Sequence, residues 1–122
     1  MSKKVLVVDD SATVRQLVAM ALSQAGFTVV EAVDGVDGVS KIQSIDDLAL
    51  VICDVNMPRM NGLELVETVK RNGGAANLPI VMLTTEGDPA LVARAKHAGA
   101  KGWIVKPFKA ELLVSAAKKL AV

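Results

Sequence analysis

The chain has 122 residues and few aromatic or cysteine side chains. Aromatic residues make up 2% of it and tyrosine is absent, so it lacks the stacking platforms that single-stranded nucleic acids require. The lone cysteine, Cys53, excludes an internal disulfide and fits a reducing compartment. A net charge of +1 is too balanced to attract nucleic acid or anionic membrane by charge alone. No apolar stretch reaches the length of a membrane span or of a signal peptide's apolar region. We therefore expect a cytoplasmic protein that binds neither nucleic acid nor membrane.

Apolar residues, by contrast, are abundant. They make up 52% of the chain and the mean hydropathy is +0.41, which is enough for one aliphatic core and argues against disorder. The length suits a single domain over residues 1–122. Short apolar runs alternate with patterns of helical period. The predicted strands are 5–8, 28–32, 48–53, 80–84 and 102–105.

Helices are predicted in the gaps between these strands. They follow Ser11 as far as Gly26, cover 35–44, run from Asn61 or Gly62 to 72–74, follow Asp88–Pro89 as far as Gly99, and include 112–120. Strands that alternate with helices predict an α/β fold. Because right-handed crossovers are the rule, we expect a five-stranded parallel sheet with helices on both faces.

Carboxylates follow two of the predicted strands. Asp9 and Asp10 come directly after the apolar run 5–8, and Asp54 comes directly after 48–53. The carboxyl ends of parallel strands meet at one edge of a sheet, where open α/β sheets bind ligands. Three carboxylates in one crevice repel each other unless a cation joins them, and an all-oxygen set suits a hard divalent ion such as Mg²⁺. The sequence therefore predicts a magnesium site.

Several of these residues also have a simpler structural interpretation. The run Asp9–Asp10–Ser11 could serve only as a helix cap, although a cap does not explain the second acid or Asp54. Cys53 points away from its neighbour in a regular strand and is best interpreted as a buried thiol. His97 is expected to be a solvated surface residue.

Four segments together resemble a known family. They are VVDDS at 7–11, DVNMP at 54–58 with NG at 61–62, LT at 83–84, and GWIVKPF at 102–108. The whole chain resembles the receiver domain of two-component response regulators, most closely the stand-alone chemotaxis (CheY-like) type. The resemblance implies a flavodoxin-like (βα)5 fold with strand order 2-1-3-4-5, and a cis peptide bond between Lys106 and Pro107.

The resemblance also implies a role for each motif residue. Asp54 matches the phosphate-accepting aspartate, and Lys106 matches the lysine that pairs with it. The magnesium ligands would be Asp9, Asp10, Asp54 and the backbone carbonyl of Asn56. Thr84 matches the hydroxyl that follows the phosphoryl group, and Trp103 occupies the aromatic switch position. A half-buried strand aromatic is an equally good interpretation of Trp103, because this position is usually tyrosine or phenylalanine in the family.

The resemblance implies that the protein functions as a phosphorylation-dependent switch. It would have no enzymatic activity other than slow self-dephosphorylation. The implied partners are a chemotaxis-type histidine kinase, a target such as the flagellar motor switch, and a phosphatase; the protein is expected to be a monomer. From position 90 onward bases outnumber acids, which suits an acidic partner. The basic residues of this segment that we assign to a partner surface are Arg94, Lys101, Lys109, Lys118 and Lys119.

Three other functions fit parts of the sequence. A phosphorelay intermediate that passes phosphate to another histidine would have the same site. A magnesium-dependent aspartyl-phosphate phosphatase of the haloacid-dehalogenase type would need Asp-x-Asp after the first strand, where this chain has Asp9–Asp10–Ser11. A nucleotide- or flavin-binding module would need a glycine-rich phosphate loop, and none is present.

Overall fold

The computed structural model describes residues 3–55, 57, 60–71, 77–85 and 89–121. Within these residues five strands alternate with five helices. The strands are β1 (Lys4–Val8), β2 (Thr28–Ala32), β3 (Leu48–Asp54), β4 (Ile80–Thr84) and β5 (Gly102–Val105). The helices are α1 (Ala12–Gln24), α2 (Gly35–Ser44), α3 (Gly62–Arg71), α4 (Pro89–Ala98) and α5 (Ala110–Leu120).

The strands form one parallel sheet in the order β2-β1-β3-β4-β5. This confirms the predicted α/β fold and the strand order that the resemblance implied. β1 begins one residue earlier than predicted, at Lys4, and β3 extends one residue further, through Asp54. The register places Val8 of β1 opposite Cys53 of β3. Asp9 and Asp54, the next residue of each strand, therefore emerge side by side at the carboxyl edge.

The sheet separates two hydrophobic cores, because side chains alternate between its faces. On one face, Val51 and Cys53 pack with residues of α3 such as Leu65 and Val66. On the other, Leu50 and Ile52 pack with α1 and α5. The central strands are buried on both faces, which explains why their sequences are almost continuously apolar. Helices therefore lie on both faces, as predicted.

Local signals set the helix ends. The Ser11 hydroxyl accepts a hydrogen bond from the Val14 amide, as expected for an N-cap. Asn61 and Glu64 form a reciprocal capping box before α3. Gly26 and Gly99 follow α1 and α4 with φ of 96° and 116°, a conformation in which a Cβ is strained.

Two of the predicted helix boundaries, the cap at Asp88 and the stop at 72–74, lie outside the described residues. Over the part of the chain that is described, no helix is both long and apolar enough to cross a membrane.

Candidate functional site

Three carboxylates meet at the carboxyl edge of the sheet. Oxygen atoms of Asp9, Asp10 and Asp54 all lie within 4.8 Å of one another. Asp9 and Asp54 are almost fully buried, whereas Asp10 is exposed. The structure thus brings together the three acids that the sequence predicted. The fourth predicted ligand, the carbonyl of Asn56, lies outside the described residues.

Lys106 bridges two of these acids. Its Nζ donates to Asp9 Oδ2 at 3.1 Å and to Asp54 Oδ1 at 3.3 Å. The lysine follows β5, and its backbone N–H donates to the carbonyl of Thr84 at the end of β4. The Lys106–Pro107 peptide bond is cis, as the resemblance implied. Pairing with Asp54 was expected, but the shorter contact with Asp9 was not.

The electrostatics of the site follow from burial and crowding. Burial raises the pKa of the Asp54 carboxyl, and the charge of Asp9 raises it further, while Lys106 acts in the opposite direction. Burial lowers the pKa of Lys106, but its hydrogen bond to Asp9 and the nearby negative charges outweigh burial, so the pKa is raised overall. Lys106 is therefore protonated at neutral pH. Lys106 thus compensates the negative charge of ionised Asp54 only in part.

Asp9 is held by hydrogen bonds on every side. Its amide donates to the carbonyl of Ala32 on β2, and its Oδ1 accepts from the Ser11 amide at 2.8 Å. Its Oδ2 accepts from Lys106, and its carbonyl oxygen accepts from Arg15 Nη1 at 2.6 Å. No sequence motif pointed to Arg15. The available signal was that Arg15 is the single charged residue in the sequence of α1.

Asp10 contrasts with Asp9. Its side chain is exposed, and no described residue donates a hydrogen bond to its carboxylate. Asp54 is intermediate, because Oδ1 accepts from Lys106 while Oδ2 accepts no hydrogen bond from the described part of the chain. The cluster thus offers free carboxylate oxygens at two of its three acids. Hard oxygen ligands in this number fit Mg²⁺, which keeps several of its waters when it binds proteins.

The two predicted switch residues lie on the same face of the sheet. Thr84 ends β4 and is fully buried. Trp103 on β5 pairs with Met82, two residues before Thr84. It is half-buried and packs against the first core, the one that contains Cys53 and α3. Trp103 Nε1 is buried and finds no hydrogen-bond acceptor among the residues that the structure describes. An indole N–H that lacks an acceptor is a cost that another rotamer could remove.

Other residues of the chain have simpler structural positions. Cys53 is buried in the core, where burial raises the pKa of its thiol. His97 is exposed on α4, as expected. Met57 and Met60 are half-buried and pack against the first core. An added Cβ at Gly62 would collide with the carbonyl oxygen of Asp54, so glycine is required where the chain returns past this aspartate.

A doubly wound parallel sheet with an acidic cluster and a bridging lysine at its carboxyl edge defines a class of signalling domain. The family model for the response regulator receiver domain matches residues 5–118, and the chain belongs to that family.

Its relatives include stand-alone chemotaxis proteins. The chain is 44% identical over 111 residues to chemotaxis protein CheY1 of Helicobacter pylori, covering 90% of each chain. It is 43% identical to the CheY homolog of Campylobacter jejuni, covering 90% of this chain and 85% of that one. The structure of chemotaxis protein CheY4 of Vibrio cholerae superposes with a TM-score of 0.92 and 41% identity, covering 98% of this chain and 99% of that one. The chain is therefore a receiver homologous to CheY chemotaxis proteins.

Proposed function

We propose that this chain is a single receiver unit that switches between two states when Asp54 is phosphorylated. The observation that carries the proposal is the arrangement of Asp54: one carboxylate oxygen pairs with Lys106, and the other accepts no hydrogen bond from the described residues. Asp9 is the poorer phosphoryl acceptor, since both of its carboxylate oxygens already accept a hydrogen bond, one from Lys106 and one from the Ser11 amide. Asp54 is thus the buried carboxylate with an oxygen left to react.

The chemistry requires positioning more than proton transfer. An oxygen of Asp54 forms a bond to phosphorus as the phosphorus–nitrogen bond of a phosphohistidine breaks, and the imidazole leaves. The ionised carboxylate has no proton to lose, so no general base is needed. Lys106 is placed to neutralise an equatorial oxygen of the transferring phosphoryl group. Thr84, whose hydroxyl can also donate to that group, is the last residue of β4, and its carbonyl accepts from the Lys106 amide.

Magnesium fits the acidic cluster. Asp9, Asp10 and Asp54 would hold it, with the carbonyl of Asn56 as a further ligand. When bound, the ion supplies positive charge for the phosphoryl oxygens and offsets the repulsion among the carboxylates. Asp10, with an exposed and unbonded carboxylate, is the acid best able to turn toward the ion.

Phosphorylation would reach the surface through Thr84 and Trp103. Movement of the Thr84 hydroxyl toward the phosphoryl group would open space on the face that Trp103 shares. Complete population exchange requires about 5.5 kcal/mol of differential stabilisation. New charge-assisted hydrogen bonds of roughly 1.5–3 kcal/mol each make that reachable. Movement of the indole would also relieve its unpaired N–H.

The proposed partners are a chemotaxis-type histidine kinase, the flagellar motor switch and a phosphatase. The protein would bind them as a monomer in the cytoplasm. The names of the relatives support a role in chemotaxis. Exposed bases on and beside α4 and α5 would attract an acidic target, and Lys101, Lys109, Lys118 and Lys119 are all exposed. Binding of the motor protein should therefore weaken as salt rises. Binding that ignores salt would remove this surface from the proposal.

The test of phosphorylation uses radiolabelled acetyl phosphate with MgCl₂. Wild type should become labelled, and Asp54→Asn should not. Asp37→Asn is the matched control, because Asp37 is an acid outside the cluster that pairs with Lys41. Label that persists undiminished in Asp54→Asn would overturn the assignment.

The switch is read from Trp103, the sole tryptophan of the chain. Its fluorescence should change when acetyl phosphate and MgCl₂ are added to wild type, and should not change with acetyl phosphate in Asp54→Asn. A labelled wild type with constant fluorescence would refute movement at Trp103 and leave the phosphorylation intact.

A further inference from the structure

A guanidinium lies behind the acidic cluster without touching its carboxylates. Arg15 reaches back from the first turns of α1, and its Nη1 donates to the backbone carbonyl of Asp9 at 2.6 Å. Only 14% of the Arg15 side chain is exposed. The carbonyl of Asp9 precedes α1, where no helical N–H is available to it. Arg15 supplies the donor that this turn otherwise lacks.

A second contact fixes the orientation of the guanidinium. Arg15 Nε donates to Glu31 Oε1 at 3.1 Å, and Glu31 lies on β2 opposite Val7 of β1. The same strand ends at Ala32, whose carbonyl accepts from the Asp9 amide. The two ends of the Asp9 residue are thus tied to β2, directly through its amide and indirectly through Arg15 and Glu31.

We propose that Arg15, held by Glu31, is a positioning residue for the magnesium site: it sets the backbone between Asp9 and Asp10 so that both carboxylates face the same point. The inference rests on the proposed function, because it assumes that the cluster binds Mg²⁺. Fixing the peptide fixes the direction in which the exposed Asp10 side chain leaves it. Among the described residues, Arg15 donates to the Asp9 carbonyl and to Glu31 and therefore takes up no carboxylate oxygen of Asp10 or Asp54.

The planar fork of arginine is essential to this arrangement. Two of its N–H groups, at fixed angles, reach two acceptors on different elements. Lysine would keep the positive charge but could not hold both acceptors in that geometry. Arg15→Lys therefore separates positioning from simple electrostatics. If only charge mattered, lysine would leave Mg²⁺ affinity unchanged, and Arg15→Gln would strengthen it by removing a like charge.

The experiment is calorimetric titration of each purified protein with MgCl₂, with urea unfolding of the same samples in EDTA. Arg15→Lys, Arg15→Gln and Glu31→Ala should each weaken Mg²⁺ binding by about tenfold or more, the usual effect of removing a residue that orients a metal ligand. The double variant Arg15→Gln/Glu31→Ala should be no worse than Arg15→Gln alone. Hydrogen exchange at the Ser11 amide should be faster in all of them, because that amide is bonded to Asp9.

Lys4→Gln is the matched control, since Lys4 also pairs with a carboxylate, Asp47, at 3.0 Å but at the start of β1, at the opposite end of that strand from Asp9. It should leave Mg²⁺ affinity unchanged. Variants of Arg15 that unfold at lower urea yet bind Mg²⁺ as tightly as wild type would show a merely structural role and overturn the inference. If wild type binds no Mg²⁺, the metal site of the proposed function fails and this inference fails with it.

Discussion

Replacing Asp54 by asparagine should stabilise the ion-free protein. Lys106 lies 3.3 Å from Asp54 Oδ1 and, at an effective dielectric constant of 20, attracts it by about 5 kcal/mol. Asp9 lies within 4.8 Å, and at that distance the same calculation gives a repulsion of about 3.5 kcal/mol. Exposed Asp10, screened by water, adds about 1 kcal/mol more. Attraction and repulsion therefore nearly cancel.

The cost of burying the charge of Asp54 is then left uncompensated. Effective desolvation penalties are several kcal/mol for a buried ion, and only 5% of Asp54 is exposed. This agrees with the raised pKa of Asp54, whose first cause is burial. A carboxyl with a raised pKa in the fold destabilises it at neutral pH, and the loss is recovered as pH falls through the folded value. Asparagine keeps the shape without the charge, so we expect a gain of about 1–3 kcal/mol at pH 7.

The assay is urea unfolding in EDTA and again in MgCl₂. In EDTA the midpoint for Asp54→Asn should exceed that of wild type. In MgCl₂ wild type should gain about 2.7 kcal/mol at a concentration one hundred times its dissociation constant, and the variant should gain less because it has lost a ligand. Asp37→Asn should shift the EDTA midpoint in the opposite direction. An Asp54→Asn protein that is no more stable than wild type in EDTA would refute the reasoning.

Three further predictions concern the surroundings of the site. Gly62→Ala should lower the free energy of unfolding by about 2 kcal/mol and slow phosphorylation, because the new Cβ would collide with the Asp54 carbonyl. Gly102→Ala is the control, because its Cβ would make only ordinary contacts. Equal urea midpoints for the two variants would contradict this prediction. Hydrogen bonds to the Asp37 carboxylate lower its pKa in the folded protein. Asp37 therefore stabilises the fold at pH values above its unfolded pKa of about 3.9, and this contribution is lost as the pH falls through the lower, folded pKa. The Asp37→Asn deficit of about 0.5–1 kcal/mol should therefore be constant from pH 7 to 5 and shrink below 4, as measured by denaturant unfolding; a deficit that grows on acidification would exclude it. Buried Cys53 should react with iodoacetamide only after unfolding, and rapid native labelling would show otherwise.

The sequence was sufficient for the parts of the site that depend on strand polarity. Apolar runs that end in acid identify strands and their carboxyl ends, so Asp9, Asp10 and Asp54 could be placed together from the sequence. The identity of the cis peptide and the role of Lys106 came from the family resemblance, since nothing in the spacing alone brings Lys106 to Asp54. The predicted strand 48–53 ends one residue before β3 does. A charged residue usually marks the end of a buried strand, whereas Asp54 is the last residue of this one.

Contacts that depend on register and rotamer could not be predicted. Glu31 reaches Arg15 because β2 pairs with β1 in one particular register, and shifting it by one residue would turn Glu31 to the other face. The contact between Lys106 and Asp9 depends on where the lysine ammonium settles among several acids of equal charge. Such choices are made by local geometry, and the sequence contains no periodic signal for them.

We expect the three acids to differ in function because their hydrogen bonds differ, although their side chains are chemically identical. Asp9 has its amide, carbonyl and both carboxylate oxygens engaged, so it is a rigid part of the frame. Asp10, its neighbour in sequence, is exposed and free to follow a cation. Asp54 is buried like Asp9 but keeps one oxygen unbonded by the described residues. Exchanging aspartate for asparagine should therefore give a different result at each position. The change should loosen the turn at Asp9, weaken Mg²⁺ binding at Asp10 and abolish phosphorylation at Asp54. If the three variants proved equivalent in labelling by acetyl phosphate, hydrogen-bond occupancy would not be what divides their roles.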